Sequence, residues 1–325
     1  MQQREFGNAQ VSEVGLGTWQ IGGSWGEVSE DESLAILREA VARGVSFFDT
    51  ADVYGDGRSE RLIGRFLQEN NSDIFVATKL GRGGKPGWPA NFELAAMRAH
   101  TESSLQRLGV ESLDLTQLHC VPTDVLRSGE IFDNLRVLQQ EGKIRRFGAS
   151  VESMEEALIC LEQDGLSSLQ IIFNIFRQKP IETLFAAAQA KNVALIVRLP
   201  LASGLLSGKF TKTTHFAPED HRNFNRDGQA FNVGETFAGL PFEKGVELSD
   251  TLKTMLPEGL TPSQMALRWI LDFPAATTII PGASSVRQVQ SNVSVSDLPA
   301  LSEELHAEIR EFYAAQVEEH IRGPY

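Results

Sequence analysis

The chain has 325 residues, of which 42% are hydrophobic, and this is enough apolar material for the full core of one large domain. Its formal net charge of −13, without a basic cluster, argues against a nucleic-acid partner. The sequence has only two cysteines, no signal-peptide segment and no run near the roughly 18 apolar residues of a membrane span. We therefore expect a protein of the reducing cytoplasm that does not contact membranes.

The chain alternates between short apolar strands and amphipathic helices. Residues 4–11 hold a Gly-Asn pair between two strand-like pieces, which predicts a hairpin closing the bottom of a barrel. A first barrel strand over 15–19 precedes a helix over 29–43, which opens on a capping-box pattern from Ser29 to Glu32. Further strands are predicted over 47–49, 74–79, 113–118, 144–150, 169–174, 193–198 and 277–280. Further helices are predicted over 59–68, 92–108, 131–140, 153–164, 181–191 and 261–272.

Eight strands in alternation with helices predict a (β/α)8 TIM barrel, because an open doubly wound sheet usually has fewer strands. No abrupt change in composition divides the chain, so we expect one domain over residues 1–325. Residues 201–260, after the seventh strand, interrupt the alternation; they are rich in Gly, Asn and Phe and weakly periodic. A loop of that length is usually either functional or disordered, and its opening motif favours a function.

Polar side chains stand where successive predicted strands end. The sequence FFDTADVYG, over 47–55, places Asp49 and Tyr54 at a strand-to-loop transition. Lys79 ends the next strand, and His119 ends the one after it. Taken alone, each residue is more simply explained as a solvated loop residue or, for His119, as a core histidine. All four in order indicate a functional site, because the C-terminal strand ends of such a barrel share the face that carries the active site.

The sequence FFDTADVYG, the strand-end Lys79 and the Gln-Leu-His that ends at His119 resemble the signature of the aldo-keto reductases, and the resemblance covers essentially the whole chain. It implies a (β/α)8 barrel that reduces carbonyl groups with NADPH through a tetrad of Asp49, Tyr54, Lys79 and His119. In this tetrad Tyr54 is the general acid and Lys79 lowers the pKa of its phenol. Asp49 holds Lys79 in place, and His119 orients the substrate oxygen.

The cofactor is expected in the loops after the seventh and eighth strands, since no Gly-x-Gly-x-x-Gly follows a strand. Small residues over 199–209 allow close backbone approach to a pyrophosphate, with Lys209 as the charge, although the spacing alone fits an ordinary Gly-rich turn equally well. The segment over 279–288, after the eighth strand, opens a helix, and a helix N-terminus favours the binding of phosphate. By the resemblance, this segment holds the 2′-phosphate of NADP(H). Ser284 stands where family members often carry Lys or Arg, and Arg287 compensates.

For the nicotinamide, Ser150 and Gln170 match the family's carboxamide positions, and Val151 replaces an Asn often found there. Arg198 either lines the pocket or caps its strand with its head in solvent. The cofactor positions implied by the resemblance are Thr18, Trp19, Asp49, Ser150, Gln170, Arg198, Pro200, Leu201, Ser203, Gly204, Leu206, Lys209, Gly282, Ser284, Arg287, Gln288 and Asn292.

The substrate is expected between aromatic loop residues, with Trp19, Trp25 and Trp88 as walls beside Tyr54 and His119, although each Trp also suits the barrel rim. No His, Cys or Asp spacing suggests a metal. The resemblance implies a small-molecule carbonyl or sugar substrate and leaves its identity and the oligomeric state open. The alternative is a cofactor-binding regulatory subunit like the β subunits of voltage-gated potassium channels. We expect the enzyme, because the sequence shows no N-terminal inactivation segment.

Overall fold

Eight parallel strands curve into a barrel in the computed structural model, which describes residues 1–23, 28–70 and 73–325. A preceding hairpin consists of β1 (Gln3–Phe6) and β2 (Ala9–Ser12). The barrel strands are β3 (Leu16–Gly17), β4 (Phe47–Asp49), β5 (Phe75–Leu80), β6 (Leu115–His119), β7 (Phe147–Ser150), β8 (Leu166–Ile172), β9 (Ala194–Arg198) and β10 (Ala276–Ile279). Parallel bridges from Val14 to Ile279 and from Gly17 to Gly282 join the first strand to the last. The predicted (β/α)8 TIM barrel with an N-terminal hairpin is therefore confirmed.

Helices surround the barrel. In chain order they are α1 (Trp19–Gly22), α2 (Glu30–Ala42), α3 (Arg58–Glu69), α4 (Leu94–Leu108), α5 (Thr123–Ser128), α6 (Glu130–Gln140), α7 (Met154–Leu161), α8 (Pro180–Thr183), α9 (Phe185–Ala190), α10 (His221–Phe224), α11 (Phe242–Lys253), α12 (Pro262–Leu271), α13 (Val286–Val293) and α14 (Glu303–Phe312). Within the described ranges, none of these helices combines the length and the apolar character that crossing a bilayer requires.

Local sequence signals fix several helix boundaries. The Ser29 hydroxyl accepts a hydrogen bond from the backbone N–H of Glu32, and the Glu32 carboxylate accepts one from the backbone N–H of Ser29. The predicted capping box therefore begins α2. Thr261 and Gln264 form the same arrangement at the start of α12. Each box satisfies backbone N–H groups that the first helical turn leaves without intrahelical partners.

The expectation of a weakly periodic segment over 201–260 is wrong for its second half, which contains α11. Phe242, Val246 and Leu252 recur at helical spacing, and all three are buried. The helix predicted over 181–191 is divided in two at Leu184, and α14 follows the barrel without a counterpart among the predicted elements. These differences change the outer layer and leave the strand order intact.

The hairpin closes the N-terminal end of the barrel. Phe6 and Val11 are fully buried, and the Phe6 ring lies 6.1 Å from Phe47 and 4.9 Å from Phe75 between ring centroids. Beside them, the guanidinium of Arg4 lies 2.8 Å from the carboxylate of the buried Glu13. This end of the barrel is thus packed shut, which leaves the opposite end for a site.

Candidate active site

Three of the strand-end residues meet at the C-terminal end of the barrel. The Lys79 ammonium on β5 lies 2.5 Å from Asp49 Oδ1 at the end of β4 and 3.4 Å from the Tyr54 hydroxyl in the following loop. It also donates to the carbonyl of Thr50 at 2.9 Å. Because β4 and β5 are parallel neighbours, their C-terminal ends carry Asp49 and Lys79 to the same place.

Asp49 is held from its other oxygen as well. Its Oδ2 accepts from Gln117 at 3.2 Å and from Gln170 at 2.6 Å. Asp49 and Lys79 are 2% and 1% exposed, so the pair is almost completely removed from water. Burial alone would lower the pKa of the Lys79 ammonium, but Asp49 and Tyr54 together outweigh it and the pKa is raised. Lys79 is therefore a fixed positive charge next to the Tyr54 hydroxyl.

Two opposed effects act on the pKa of the Tyr54 phenol. Burial raises its pKa above the ordinary value of 10.0, and the Lys79 ammonium lowers it. Lys79 does lower this pKa, as predicted from the sequence, but burial has the larger effect. Tyr54 consequently keeps its proton at neutral pH and can donate a hydrogen bond into the cavity.

His119, at the end of β6, stands beside the Tyr54 ring, with 6.0 Å between ring centroids and nearly perpendicular planes. Burial lowers the pKa of His119 well below 6.5, and the cations of Arg82 and Lys79 lower it further. The imidazole is therefore neutral and able to act as a hydrogen-bonding group. Within the described part of the chain, its buried Nδ1 has no hydrogen-bond partner.

A cavity of about 790 Å³ opens onto these residues, within the size range of small-molecule sites. Asp49, Tyr54 and His119 line it, while Lys79 lies behind Asp49 and Tyr54. Of the expected cofactor positions, all except Leu206 line the cavity. Leu206 is 1% exposed and packs in the core, so the structure does not bring it to the site.

The expected substrate walls are placed differently from one another. Trp19 lines the cavity and stacks on Tyr54 with 5.9 Å between ring centroids. Trp88 is 51% exposed at the barrel rim, outside the cavity lining, and its indole N–H donates to the carbonyl of Gly81 at 2.6 Å. Trp25 lies outside the described residues. Of the two tryptophans that the structure describes, Trp19 therefore lies at the cavity and Trp88 does not.

The far end of the cavity combines cations, hydroxyl groups and a helix start. Lys209, Arg222 and Arg287 line it, and Ser285 caps the N-terminus of α13 by accepting from the backbone of Gln288. Cations together with backbone N–H groups at a helix start are the donor set that phosphate groups require. The chemistry of this wall therefore fits the phosphates of a dinucleotide.

Backbone geometry shapes the same wall. In the turn after β9, Ser203 has a φ of +55°, and its hydroxyl accepts from the backbone N–H of Phe237 at 3.1 Å. The next residue, Gly204, has a φ of +99°, a conformation that favours glycine. The loop is thus folded tightly enough for its backbone to face the cavity.

Sequence reasoning missed a cluster of charged residues beside His119. Glu235 lines the cavity, and its carboxylate lies 3.0 Å from the guanidinium of Arg82 and 3.5 Å from that of Arg198. Glu152 lies 3.8 Å from Arg82. We call these four residues, Arg82, Glu152, Arg198 and Glu235, the charged wall.

The charged wall decides between the two interpretations of Arg198. Its side chain is 10% exposed, lines the cavity and donates to the carbonyl of Val151 at 3.1 Å, so its head does not lie in solvent. Burial would raise the pKa of Glu235, but Arg82 and Arg198 outweigh this and hold the pKa well below its usual range. Burial and the neighbouring Glu235 raise the pKa of Glu152 to about 7. Near neutral pH, Glu235 is therefore ionised, whereas Glu152 is partly protonated.

Long-range contacts fix the loop that carries Glu235. The backbone carbonyl of Glu235 accepts from Ser203 at 3.3 Å, and the Asn225 amide donates to the Thr236 hydroxyl at 3.0 Å. From the C-terminal region, Arg322 donates to the carbonyl of Gly239 at 2.9 Å. No short motif marks Glu235; the one local signal was an isolated acid in a segment otherwise rich in Gly, Asn and Phe.

Comparisons with known proteins agree with this geometry. The model of the aldo/keto reductase family matches residues 13–314. The aldo-keto reductase YhdN of Bacillus subtilis (strain 168) is 30% identical over 290 residues, covering 87% of this chain and 84% of YhdN. The glycerol dehydrogenase of Gluconobacter oxydans superimposes with a TM-score of 0.78 at 28% identity, covering 99% of this chain and 98% of that one. The holo form of an aldo-keto reductase from Bacillus halodurans gives a TM-score of 0.79 at 28% identity, covering 99% of this chain and all of that one.

Proposed function

The chain belongs to the aldo/keto reductase family, a family of oxidoreductases, and from this we propose that it reduces a small aldehyde, ketone or sugar carbonyl to the alcohol with NADPH. One observation carries the proposal: the Lys79 ammonium contacts both the Asp49 carboxylate and the Tyr54 hydroxyl beside the neutral His119. This arrangement places a proton donor, its electrostatic partner and a second hydrogen-bonding group on one cavity wall.

Carbonyl reduction needs a hydride at carbon and a proton at oxygen, and NADPH supplies the hydride when bound. Tyr54 gives its proton to the carbonyl oxygen as that oxygen gains negative charge. The fixed charge of Lys79 stabilises the phenolate that remains, and Asp49 fixes the position of Lys79. His119 donates a hydrogen bond to the same oxygen and limits the orientations that the substrate can adopt.

The residues that would hold the cofactor fall into two groups. Ser150, at the end of β7, and Gln170, two residues before the end of β8, would bind the nicotinamide carboxamide near Asp49. Lys209 and the start of α13 would bind the phosphates, with Arg287 next to the 2′-phosphate. The proposal includes a preference for NADP(H) over NAD(H). The 2′-phosphate brings negative charge to a chain of net charge −13, and Arg287 is the local cation that would offset the repulsion and favour the phosphorylated cofactor.

The substrate class is supported by the polar lining near His119 and by the similarity to a glycerol dehydrogenase, whose name assigns it a small polyol. A sugar, a small hydroxyaldehyde or a small ketone presents the same kinds of groups. Reduction and oxidation use the same residues in opposite directions, so both directions belong in the test.

The test is turnover by the purified protein. We expect NADPH oxidation with 4-nitrobenzaldehyde and with small hydroxyaldehydes, and the decrease in NADPH absorbance measures it. Tight NADPH binding without turnover of any aldehyde, ketone or sugar, in either direction, would contradict the reductase and favour a cofactor-binding subunit.

A further inference from the structure

The charged wall is more polar than a site for simple aldehydes requires. Burying a carboxylate costs free energy unless cations and hydrogen bonds compensate for it. Glu235 is 4% exposed, and its carboxylate lies against two guanidiniums where it still borders the cavity. The Arg82 guanidinium also lies 5.4 Å from the Phe231 ring centroid, a cation–π contact that helps to hold it in place. Such an arrangement presents a fixed acceptor and a fixed donor to whatever occupies the cavity.

We propose that Glu235, held by Arg82 and Arg198, selects substrates that carry a hydroxyl group on the carbon next to the carbonyl. This inference rests on the proposed reductase function and assigns a specificity-determining residue to it. The Glu235 carboxylate accepts a hydrogen bond from that hydroxyl, and the Arg198 guanidinium donates to the hydroxyl oxygen.

The position of Glu235 supports this role. Glu235 and Arg198 line the same cavity as Tyr54 and His119. The charge of Glu235 also contributes to the pKa of both Tyr54 and His119, so it lies near the place where the carbonyl oxygen would bind. In this proposal, a hydroxyl one carbon away from that oxygen contacts Glu235 and Arg198, which line the same cavity.

Charge decides among the possible ligand classes. A substrate carboxylate would meet the ionised Glu235, and the two guanidiniums are already paired with it. An alkyl group would remove water from the Glu235 carboxylate and the Arg198 guanidinium without forming a hydrogen bond to either. A neutral hydroxyl donates and accepts at once, and it therefore fits both groups.

A metal ion is a poorer occupant of the same place. Cys120, Glu152 and Glu235 could bring one ligand atom each to a cation. Burial raises the pKa of the Cys120 thiol to about 12, so the thiolate that binds metals is scarce near neutral pH. The guanidiniums of Arg82 and Arg198 already neutralise Glu235 and would repel the ion.

The experiment compares three aldehydes of nearly equal size: 2-hydroxypropanal, 3-hydroxypropanal and propanal, each with NADPH. We expect wild-type kcat/KM to favour 2-hydroxypropanal over each of the others by about 10-fold or more, because one hydrogen bond to a charged group contributes at least about that factor. In Glu235→Gln that ratio should fall by about 10-fold, towards unity, because the neutral amide oxygen of Gln is a weaker acceptor than the Glu235 carboxylate.

The matched control is Glu13→Gln. Glu13 is fully buried and paired with an arginine, as Glu235 is, but it lies at the opposite end of the barrel. Its substitution should lower stability and leave the selectivity ratio at the wild-type value. A ratio that shifts equally in both variants would overturn the inference, because general destabilisation would then explain it.

Two further outcomes would overturn it. One is an unchanged ratio in Glu235→Gln while all three aldehydes are reduced, which leaves the proposed function standing. The other is a wild-type protein that prefers propanal or treats 3-hydroxypropanal equally well, and this measurement decides the matter even if Glu235→Gln fails to fold. Absence of NADPH oxidation with every aldehyde would instead remove the proposed function itself, and the inference with it.

Discussion

The two ends of the barrel use similar buried ion pairs in different surroundings. At the N-terminal end, Arg4 of the hairpin lies 2.8 Å from Glu13, and Phe6 of the same hairpin packs over the strand starts. At the C-terminal end, Lys79 and Asp49 lie 2.5 Å apart on the wall of a cavity of about 790 Å³. The first pair fills a closed end, whereas the second holds a charge next to the titratable Tyr54. One end therefore serves stability and the other chemistry, as the barrel architecture leads us to expect.

The largest effect should separate the two ion pairs. Lys79→Met and Arg4→Met each leave a buried carboxylate unpaired, so each should lose about 3–5 kcal/mol in the free energy of unfolding. Only Lys79→Met should also lose about 10²–10⁴-fold in kcat for aldehyde reduction. Denaturant unfolding and steady-state rates at saturating NADPH measure both quantities. Comparable kcat values in the two variants would remove the distinction between the two ends.

A second variant addresses the closed end alone. Phe6→Ala removes a fully buried ring that packs on Phe47 and Phe75, and truncations of this kind cost about 3–5 kcal/mol. We expect that loss in the free energy of unfolding, with kcat/KM unchanged below the melting transition. A large decrease in kcat/KM of the folded variant would show that the hairpin takes part in the chemistry.

A substitution in the cavity wall that would hold the cofactor phosphates should change the affinity for NADPH rather than the free energy of unfolding. Arg287 is exposed on α13, so its contact with the 2′-phosphate lies at the weak end of the about 10- to 150-fold range for charge-assisted hydrogen bonds. Arg287→Ala should weaken NADPH by about 10-fold and leave NADH affinity and the free energy of unfolding unchanged. Fluorescence titration with both cofactors checks this. Equal weakening of the two would make Arg287 a scaffold residue, and a wild-type preference for NADH would contradict the assignment.

The smallest effect concerns a carboxyl group next to the site. Burial and the nearby Glu60 raise the pKa of Asp52 from 3.8 to about 7, and its Oδ1 has no hydrogen-bond partner in the described ranges. Between those two pH values the folded state binds more protons than the unfolded state, so Asp52 makes stability fall as pH rises. Asp52→Asn should remove that slope and stabilise the protein by about 1–2 kcal/mol at pH 8. Unfolding curves at pH 5 and pH 8 test it; equal stability of both proteins at pH 8 would contradict it.

The strand ends could be predicted from the sequence because their signals are local. Asp49, Lys79 and His119 each close an apolar run, and parallel neighbouring strands bring such ends together without further information. The Ser29 capping box and the Gly-rich turn after β9 were visible for the same reason. Where three or four adjacent residues determine a structure, the sequence reports it directly.

The charged wall could not be predicted in this way. Arg82 and Glu235 come from two separate loops and Arg198 from the end of β9, and their pairing depends on how the 201–260 segment folds back across the barrel. In the sequence each is an ordinary charged residue, and only Arg198 had attracted attention, through its position at a strand end. The position of the Trp88 side chain could not be predicted for a related reason. The orientation of a side chain in a loop depends on contacts such as the hydrogen bond from the Trp88 indole to the carbonyl of Gly81.

The central claim is that the Tyr54 hydroxyl gives the proton that completes carbonyl reduction. The most direct measurement is the kcat of Tyr54→Phe with an aldehyde that the wild type reduces, alongside the Kd for NADPH. The account predicts that kcat falls by about 10²–10⁴-fold, while NADPH affinity stays near the wild-type value because the hydroxyl has no part in holding the cofactor. A variant that binds NADPH normally and keeps more than half of the wild-type kcat would contradict the claim.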